Sequence, residues 1–158
     1  MSDRFVYVTY IRTTPAALWS ALTEPEFTRR YWFGFTLDSD WETGSAWTMR
    51  FADGRLNTAG EVLESDPPRR LVLSWRKECD DALLAEGTAR ATFEIEPVHE
   101  STRLTVTHEI DRDDSRLIRS VAGGWPMILA SLKSMLETGE PLADPRTHVQ
   151  TLEPACGG

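Results

Sequence analysis

The sequence contains little of what marks membrane-spanning or disulfide-rich proteins. It has two cysteines, Cys79 and Cys156, without C-x-x-C spacing, so neither a disulfide framework nor a thiolate zinc site is indicated and we expect two reduced thiols. No stretch approaches the ~18 apolar residues of a spanning helix, and the N-terminus lacks the apolar segment of a signal peptide. A cytoplasmic location is therefore expected.

Long basic runs are also missing. The chain has 17 Lys and Arg against 25 Asp and Glu, a net charge of −8, and its basic runs are no longer than the pairs Arg29-Arg30 and Arg69-Arg70. An acidic surface repels phosphate backbones and anionic lipids. The sequence thus predicts neither a nucleic acid nor a membrane surface as partner.

Catalytic and metal-binding motifs are absent too. The sequence lacks H-E-x-x-H, G-x-G-x-x-G, P-loop and G-x-S-x-G patterns. Its three histidines fall on an inward strand face (His108), in a turn (His99) and near the C-terminus (His148), so they are not expected to converge on a metal. We predict no metal site and no cofactor.

What the chain does contain is the pattern of one α+β domain. Its 158 residues are 41% hydrophobic, as in an ordinary soluble protein. Residues 1–142 are predicted to form a single domain, and 143–158 an irregular tail.

The N-terminal part predicts one strand and two short helices. Residues 4–12 are aromatic and β-branched, which favours a strand. Thr14 followed by proline indicates the start of a helix, and Thr23 with Glu26 resembles a capping box for a second helix over 25–31.

The remainder predicts a sheet and a long helix. Apolar residues alternate from about 32 to 110, which indicates antiparallel strands with one dry face. From Asp113 an apolar stripe at helical spacing predicts a long helix that ends at Gly139. Gly123, Gly124 and Pro126 predict a kink or a break in its middle.

This order of elements predicts a helix-grip fold, in which a curved antiparallel sheet of about six to seven strands wraps a long C-terminal helix and two short helices follow strand one. Such a sheet and helix leave a cavity unless bulky side chains fill it. The inward faces combine small residues, Ala89 and Ala91, with the large Trp47, Trp75 and Trp125, a combination that can line a pocket.

Three segments, residues 11–32, 60–75 and 123–139, together resemble the bacterial homologues of the C-terminal domain of the Hsp90 ATPase activator, within the START-like and Bet v 1-like superfamily that includes polyketide cyclases. The resemblance covers about residues 4–142 and implies a deep apolar cavity whose contents differ between members. In the eukaryotic activator a separate N-terminal domain carries most of the chaperone stimulation. This chain has no room for that domain, so Hsp90 is not expected as a partner.

Candidate ligand-binding residues follow from the inward strand positions, the final helix and the segment before the second strand. Trp32, with Trp41, is expected as a lid, and Trp19 as a core residue. His108 is the one titratable side chain that the alternation places on the dry face, and it is the candidate catalytic group, with a satisfied core histidine as the alternative. The predicted site comprises Trp32, Phe35, Trp47, Met49, Trp75, Phe93, His108, Trp125 and Leu129.

The function predicted from these features is the binding of a small hydrophobic molecule, aromatic or lipid-like, as a carrier or sensor. One alternative is a cyclase or aromatase acting on a polyketide-like substrate with His108 as general acid or base. A further alternative is a chaperone-associated protein-binding module, which predicts an exposed apolar patch. A homodimer is left open.

Overall fold

The computed structural model describes residues 2–144. Its element order agrees with the predicted one, except for an additional short helix between the fifth and sixth strands. The strands are β1 (Asp3–Ile11), β2 (Thr36–Ser39), β3 (Ala46–Arg50), β4 (Leu56–Asp66), β5 (Arg70–Lys77), β6 (Ala89–Val98) and β7 (Ser101–Ile110). The helices are α1 (Pro15–Thr23), α2 (Pro25–Tyr31), α3 (Asp81–Leu84) and α4 (Arg116–Thr138).

The strands form one curved, seven-stranded antiparallel sheet in the order β1-β7-β6-β5-β4-β3-β2. Strands that follow one another from β2 to β7 are therefore neighbours, and only β1 pairs with a strand far along the chain, from Asp3 opposite Ile110 to Ile11 opposite Thr102. The register shifts between Val62 and Glu64 of β4, which is typical of a β-bulge. Bulges bend the strand that carries them and so contribute to the curvature of the sheet.

The alternation predicted for the last two strands is confirmed. Along β7, residues with even numbers from Thr102 to Ile110 are buried and those between them are half-buried. The long helix α4 buries one face as well, including Leu117, Trp125 and Leu132. The inward side chains of the sheet and this face of α4 belong to one hydrophobic core.

Both ends of α4 are held by specific contacts. Ser115 Oγ accepts a hydrogen bond from Ile118 N at 3.1 Å, and Glu86 accepts from the Arg116 and Leu117 amides. Gly139 ends the helix in the left-handed conformation, with φ of 89°, as predicted. Between these caps α4 is one continuous helix of 23 residues that contains Pro126.

The predicted break at Pro126 is therefore wrong, whereas a kink there stays a prediction. Proline removes one backbone donor and strains the preceding turn. Here the buried face continues beyond it through Leu129 and Leu132, so packing on the sheet stabilises the helix across the interruption.

The predicted capping box of α2 is also wrong. Thr23 is the last residue of α1, and its hydroxyl donates to the Trp19 carbonyl four residues earlier at 2.8 Å. Glu24 alone separates α1 from α2, so Thr23 cannot leave the first helix to cap the second. Thr14 does cap α1, accepting from Ala17 N at 3.2 Å as predicted.

The expectation of reduced thiols is wrong for Cys79, which is disulfide-bonded. Bond formation depends on how closely the fold brings two sulfurs together and not on their separation along the chain. Cys156, His148 and most of the predicted tail lie outside the described residues. Among residues 2–144, no helix is long and apolar enough to cross a membrane.

Candidate functional site

The interior between the sheet and α4 contains a group of aromatic rings that contact one another. Trp75 of β5 lies at its centre, with ring centroids 4.9 Å from Trp47, 4.8 Å from His108 and 5.9 Å from Trp125. Trp125 of α4 in turn lies 5.3 Å from Trp32. We call the buried rings in this network the aromatic cluster: Trp32, Trp47, Trp75, Phe93, His108 and Trp125.

Strand register explains how rings of this size fit on the inward face. Trp75 is paired with Ala89 on β6, and His108 is paired with Ala91 on the same strand. Trp47 is paired with Gly60 on β4. Because the partner of each ring is alanine or glycine, the ring can extend across the neighbouring strand without a clash.

Gly60 makes the tightest of these approaches. A Cβ atom at this position would lie 1.9 Å from the Ser74 carbonyl oxygen and 2.6 Å from Trp47 Nε1. The same indole nitrogen donates to Ser74 O at 2.8 Å, so the ring of Trp47 crosses directly over Gly60. Glycine is therefore required for the observed position of Trp47.

His108 is buried and has one free nitrogen. Its Nδ1 accepts a hydrogen bond from the indole N–H of Trp125 at 3.1 Å, whereas Nε2 has no hydrogen-bond partner among residues 2–144. Burial, assisted by the positive charge of Lys77, lowers the pKa of His108 to about 3, so the ring is neutral at physiological pH. Since an indole nitrogen can only donate, Nδ1 must carry the lone pair and Nε2 the proton. His108 thus presents an unused donor in the interior.

A second polar group lies at the end of β5. Lys77 is the next inward residue after Trp75, and its Nζ donates to Asn57 Oδ1 at 3.1 Å. Thr58 Oγ1 donates to the same oxygen at 2.6 Å, and all three residues are buried. Burial lowers the pKa of Lys77 to about 8, against the opposing effect of Asp80. Among residues 2–144, no carboxylate forms a salt bridge with Lys77.

Tyr31, the last residue of α2, adds another unused polar atom. Its side chain is fully buried, and burial raises the pKa of the phenol. In the described part of the chain its hydroxyl has no hydrogen-bond partner. The ring packs beside Trp32 with centroids 6.0 Å apart. A buried hydroxyl without a partner is uncommon, because an unmade hydrogen bond costs about 1–3 kcal/mol.

The predicted site residues are all buried, and six of the nine form the aromatic cluster. The other three, Phe35, Met49 and Leu129, belong to the same hydrophobic core, with Phe35 against Phe51 at 5.1 Å between ring centroids. Of the two expected lid residues, Trp32 is buried against Trp125, and Trp41 is half-buried with φ of 58°.

Sequence reasoning missed Tyr31, Lys77 and Asn57. The expectation that His108 is the one titratable side chain on the dry face is wrong, because Lys77 continues the inward alternation of Leu71, Leu73 and Trp75 and is buried. Within residues 2–144, no group of three or more His, Cys, Asp or Glu side chains is placed to hold a metal ion.

A separate groove of about 400 Å³ lies on the opposite, outward face of the sheet. It is crossed by the ion pair of Arg103 with Glu96 and bordered by Val8 and Tyr10, each 48% exposed. With Val6, also exposed, these residues give β1 an apolar outward face. The groove is shallow and charged on one side, unlike the interior.

A curved antiparallel sheet that wraps a long C-terminal helix, with aromatic residues between them, defines a helix-grip domain. The family model described as activator of Hsp90 ATPase homolog 1-like protein matches residues 12–137. The chain belongs to this family, which confirms the resemblance drawn from three sequence segments. No curated protein matches the sequence.

Solved structures with the same fold share little sequence with this chain. Protein MLL2253 from Mesorhizobium loti is similar with a TM-score of 0.72 and 23% identity, covering 85% of this chain and 96% of its own. CalU16 from Micromonospora echinospora has a TM-score of 0.70 and 20% identity, over 87% and 78%. The Aha1 dimer from Colwellia psychrerythraea has a TM-score of 0.71 and 20% identity, over 87% and 98%. At these identities the similarity establishes the fold alone.

Proposed function

We propose that this protein binds a small hydrophobic molecule, aromatic or lipid-like, between the sheet and α4, as a carrier or sensor. The observation that carries the proposal is the aromatic cluster together with unused polar atoms at its border, His108 Nε2 and Tyr31 Oη. Ligand sites are typically apolar with a few polar groups that fix orientation. Because the rings contact one another, a ligand would displace ring–ring contacts as it enters.

The proposal is tested by titrating apolar compounds against the purified protein. Four of the six tryptophans belong to the aromatic cluster, so binding should change tryptophan fluorescence. A ligand at a hundred times its Kd stabilises the folded state by about 2.7 kcal/mol. For a domain of this size that corresponds to a rise in Tm of roughly 5–10 °C. If no apolar compound changes either signal, the proposal is wrong.

A matched pair of variants locates the binding site. Ala91→Val adds two methyl groups beside His108 on the inward face, and we expect it to weaken binding at least ~10-fold because it fills ligand space. Ala46→Val makes the same change at an exposed position of β3 and should leave affinity unchanged. Equal affinity in both variants would place the ligand elsewhere.

The cyclase or aromatase reading remains a second candidate, favoured by one observation, the free Nε2 of His108. The arrangement changes the function that the sequence suggested for this residue. With Nδ1 bonded to Trp125 and the proton on Nε2, the neutral ring has no free lone pair to act as base. In this candidate function His108 would polarise a substrate carbonyl by donating a hydrogen bond.

The enzymatic candidate is tested with a linear triketide thioester as substrate. The enzymatic function predicts that the wild-type protein forms a cyclised aromatic product, detected by its ultraviolet absorbance, and that His108→Gln forms it more slowly by about 10²-fold. If the wild-type protein binds the compound but forms no product, the enzymatic function is wrong and the carrier function is the one that remains.

A further inference from the structure

Two inward-facing donors flank Trp75, and neither is fully used by the protein. His108 packs against the edge of Trp75 with 4.8 Å between ring centroids, and no group of the described residues accepts a hydrogen bond from its Nε2–H. Lys77 follows Trp75 by two residues on the same face of β5. His108 lies in the same row of the sheet as Leu73, which precedes Trp75 by two residues on that face, so Trp75 stands between the two positions. The two donors therefore belong to one region of the interior.

Lys77 is the more informative of the two. Lysine is almost never fully buried unless it is paired with an opposite charge. Here only 9% of the residue is exposed, and the hydrogen bond in the structure is to the neutral amide oxygen of Asn57. Among residues 2–144, Asp80 opposes the lowering of the Lys77 pKa, but no carboxylate forms a salt bridge with Lys77. Within this described part of the chain, the buried ammonium group therefore has a neutral partner and no paired carboxylate.

We propose that Lys77 Nζ and His108 Nε2–H bind a carboxylate carried by an aromatic ligand whose rings contact Trp75. This inference rests on the proposed binding function and names the chemical class of the ligand. One ammonium group and one neutral imidazole can compensate a single negative charge. A phosphate monoester carries more charge and would cost more to remove from water, so a carboxylate fits the site better.

The proposal distinguishes this ligand from a purely apolar one. A hydrocarbon in the same place would cover both groups without providing an acceptor. The Nε2–H of His108 would then stay without a hydrogen bond, and the Lys77 ammonium group would gain no negative charge. A carboxylate satisfies both groups through charge-assisted hydrogen bonds, which are stronger than neutral ones. The ligand is thus expected to be amphipathic, with its charged end toward the end of β5.

The test compares 2-naphthoate with 2-methylnaphthalene, which share their rings and differ in the carboxylate. We expect the wild-type protein to bind 2-naphthoate at least ~10-fold more tightly than 2-methylnaphthalene, measured by quenching of tryptophan fluorescence. Lys77→Met should remove this preference while leaving the affinity for 2-methylnaphthalene within a factor of ~2. His108→Gln should weaken 2-naphthoate binding by a smaller factor, because a neutral hydrogen bond is lost.

The second of the two lysines provides the matched control. Lys133 is half-buried on α4 and paired with Glu137, so Lys133→Met should bind both compounds as the wild type does. If Lys77→Met does not fold, the wild-type protein suffices. Labelling with [15N]lysine gives two Nζ signals, and only that of Lys77 should shift when 2-naphthoate is added.

Each outcome decides between the two proposals. Binding of 2-methylnaphthalene with equal or weaker binding of 2-naphthoate would overturn the carboxylate site and keep the hydrophobic-ligand function. Tight binding of 2-naphthoate that is unchanged in Lys77→Met, or that shifts the Lys133 signal instead, would place the carboxylate elsewhere. If neither compound nor any other apolar probe binds, both proposals are wrong.

Discussion

His108 is a neutral buried residue whose cost of ionisation should appear in the stability of the protein. Its pKa is lowered from 6.5 to about 3, so between these values the unfolded chain binds a proton that the folded chain does not. Stability contributed by this residue is therefore complete above pH 6.5 and is lost as the pH falls below it. Between pH 7 and 5.5 the loss is about 1 kcal/mol.

The measurement is urea unfolding of the wild type and His108→Gln at pH 7 and 5.5, both above the isoelectric point near 4.9. Glutamine does not titrate, and its side-chain oxygen can accept from Trp125, so the variant should lose about 1 kcal/mol less on acidification. His99→Asn, which removes an exposed histidine from a turn, is the control and should behave as the wild type. Equal acid sensitivity in His108→Gln would contradict a neutral buried imidazole.

Gly60 is the position where a single methyl group should be most damaging. In Gly60→Ala the new Cβ would meet the Ser74 carbonyl, a backbone atom that cannot rotate away. We expect a loss of at least about 3 kcal/mol in the free energy of unfolding, with a change in the fluorescence of Trp47, whose ring must move. A loss below 1 kcal/mol in chemical denaturation would show that β4 and β5 can separate at this point.

The sequence allowed the burial of individual side chains to be predicted better than their polar contacts. Alternation placed Trp47, Trp75 and His108 inward because a strand has a period of two, which sequence displays directly. The contact of His108 with Trp125 and the neutral partner of Lys77 depend on how β5, β7 and α4 approach one another in space. No local sequence pattern determines how these elements pack together. The hydrogen bonds that His108 and Lys77 make or lack could therefore be identified only in the folded chain.

At the scale of elements, α4 shows that a weak point in a helix need not end it. Gly123, Gly124 and Pro126 all have low helix propensity, yet the helix runs from Arg116 to Thr138. Propensity costs of a few kcal/mol are offset by the buried face and the two caps. The end of the helix at Gly139 was predicted correctly because a local signal determines it. The break at Pro126 was predicted wrongly because packing of the buried face outweighs the local propensity there.

Gly123 offers a direct measurement of this cost. A Cβ added there meets nothing within 4 Å, and its backbone is helical, so Gly123→Ala should raise the free energy of unfolding by about 0.5–1 kcal/mol. Thermal unfolding of the variant beside the wild type measures the gain. A lower Tm would indicate that the glycine provides flexibility that the packed helix requires.

At the scale of the whole molecule, the net charge of −8 says little about partners. The outward faces of the strands carry both signs, as in the pairs of Arg70 with Glu64 and Glu94 and of Arg103 with Glu96. Exposed pairs of this kind contribute little to stability, about 0–1 kcal/mol each. The fold could be predicted because the order of the elements and the alternation of apolar residues both indicate the same architecture over the whole described chain. Neither signal indicates which ligand the protein binds.

The pairing of β1 with β7 has a consequence for the order in which the molecule folds. Strands β2 to β7 form a succession of neighbouring hairpins, but β1 must wait until a partner about 100 residues away has been built. Loop-closure entropy therefore favours a transition state in which the hairpins have formed and β1 is still unattached. We therefore expect the pairing of β1 with β7 to be the last step in the folding of the sheet.

Two matched substitutions test this order, because each deletes one buried methylene group. Ile95→Val on β6 should slow folding, whereas Ile11→Val on β1 should mainly accelerate unfolding, at a similar equilibrium cost of about 0.5–1.5 kcal/mol. Stopped-flow kinetics in urea separates the two effects, and a slower folding rate in Ile11→Val would mean that β1 joins early. Late attachment of β1 would leave the outer edge of β7 unpaired while the rest of the sheet is already formed. At that stage of folding the molecule would expose a strand edge that β1 covers in the native protein, and we expect it to aggregate more readily than the native protein does.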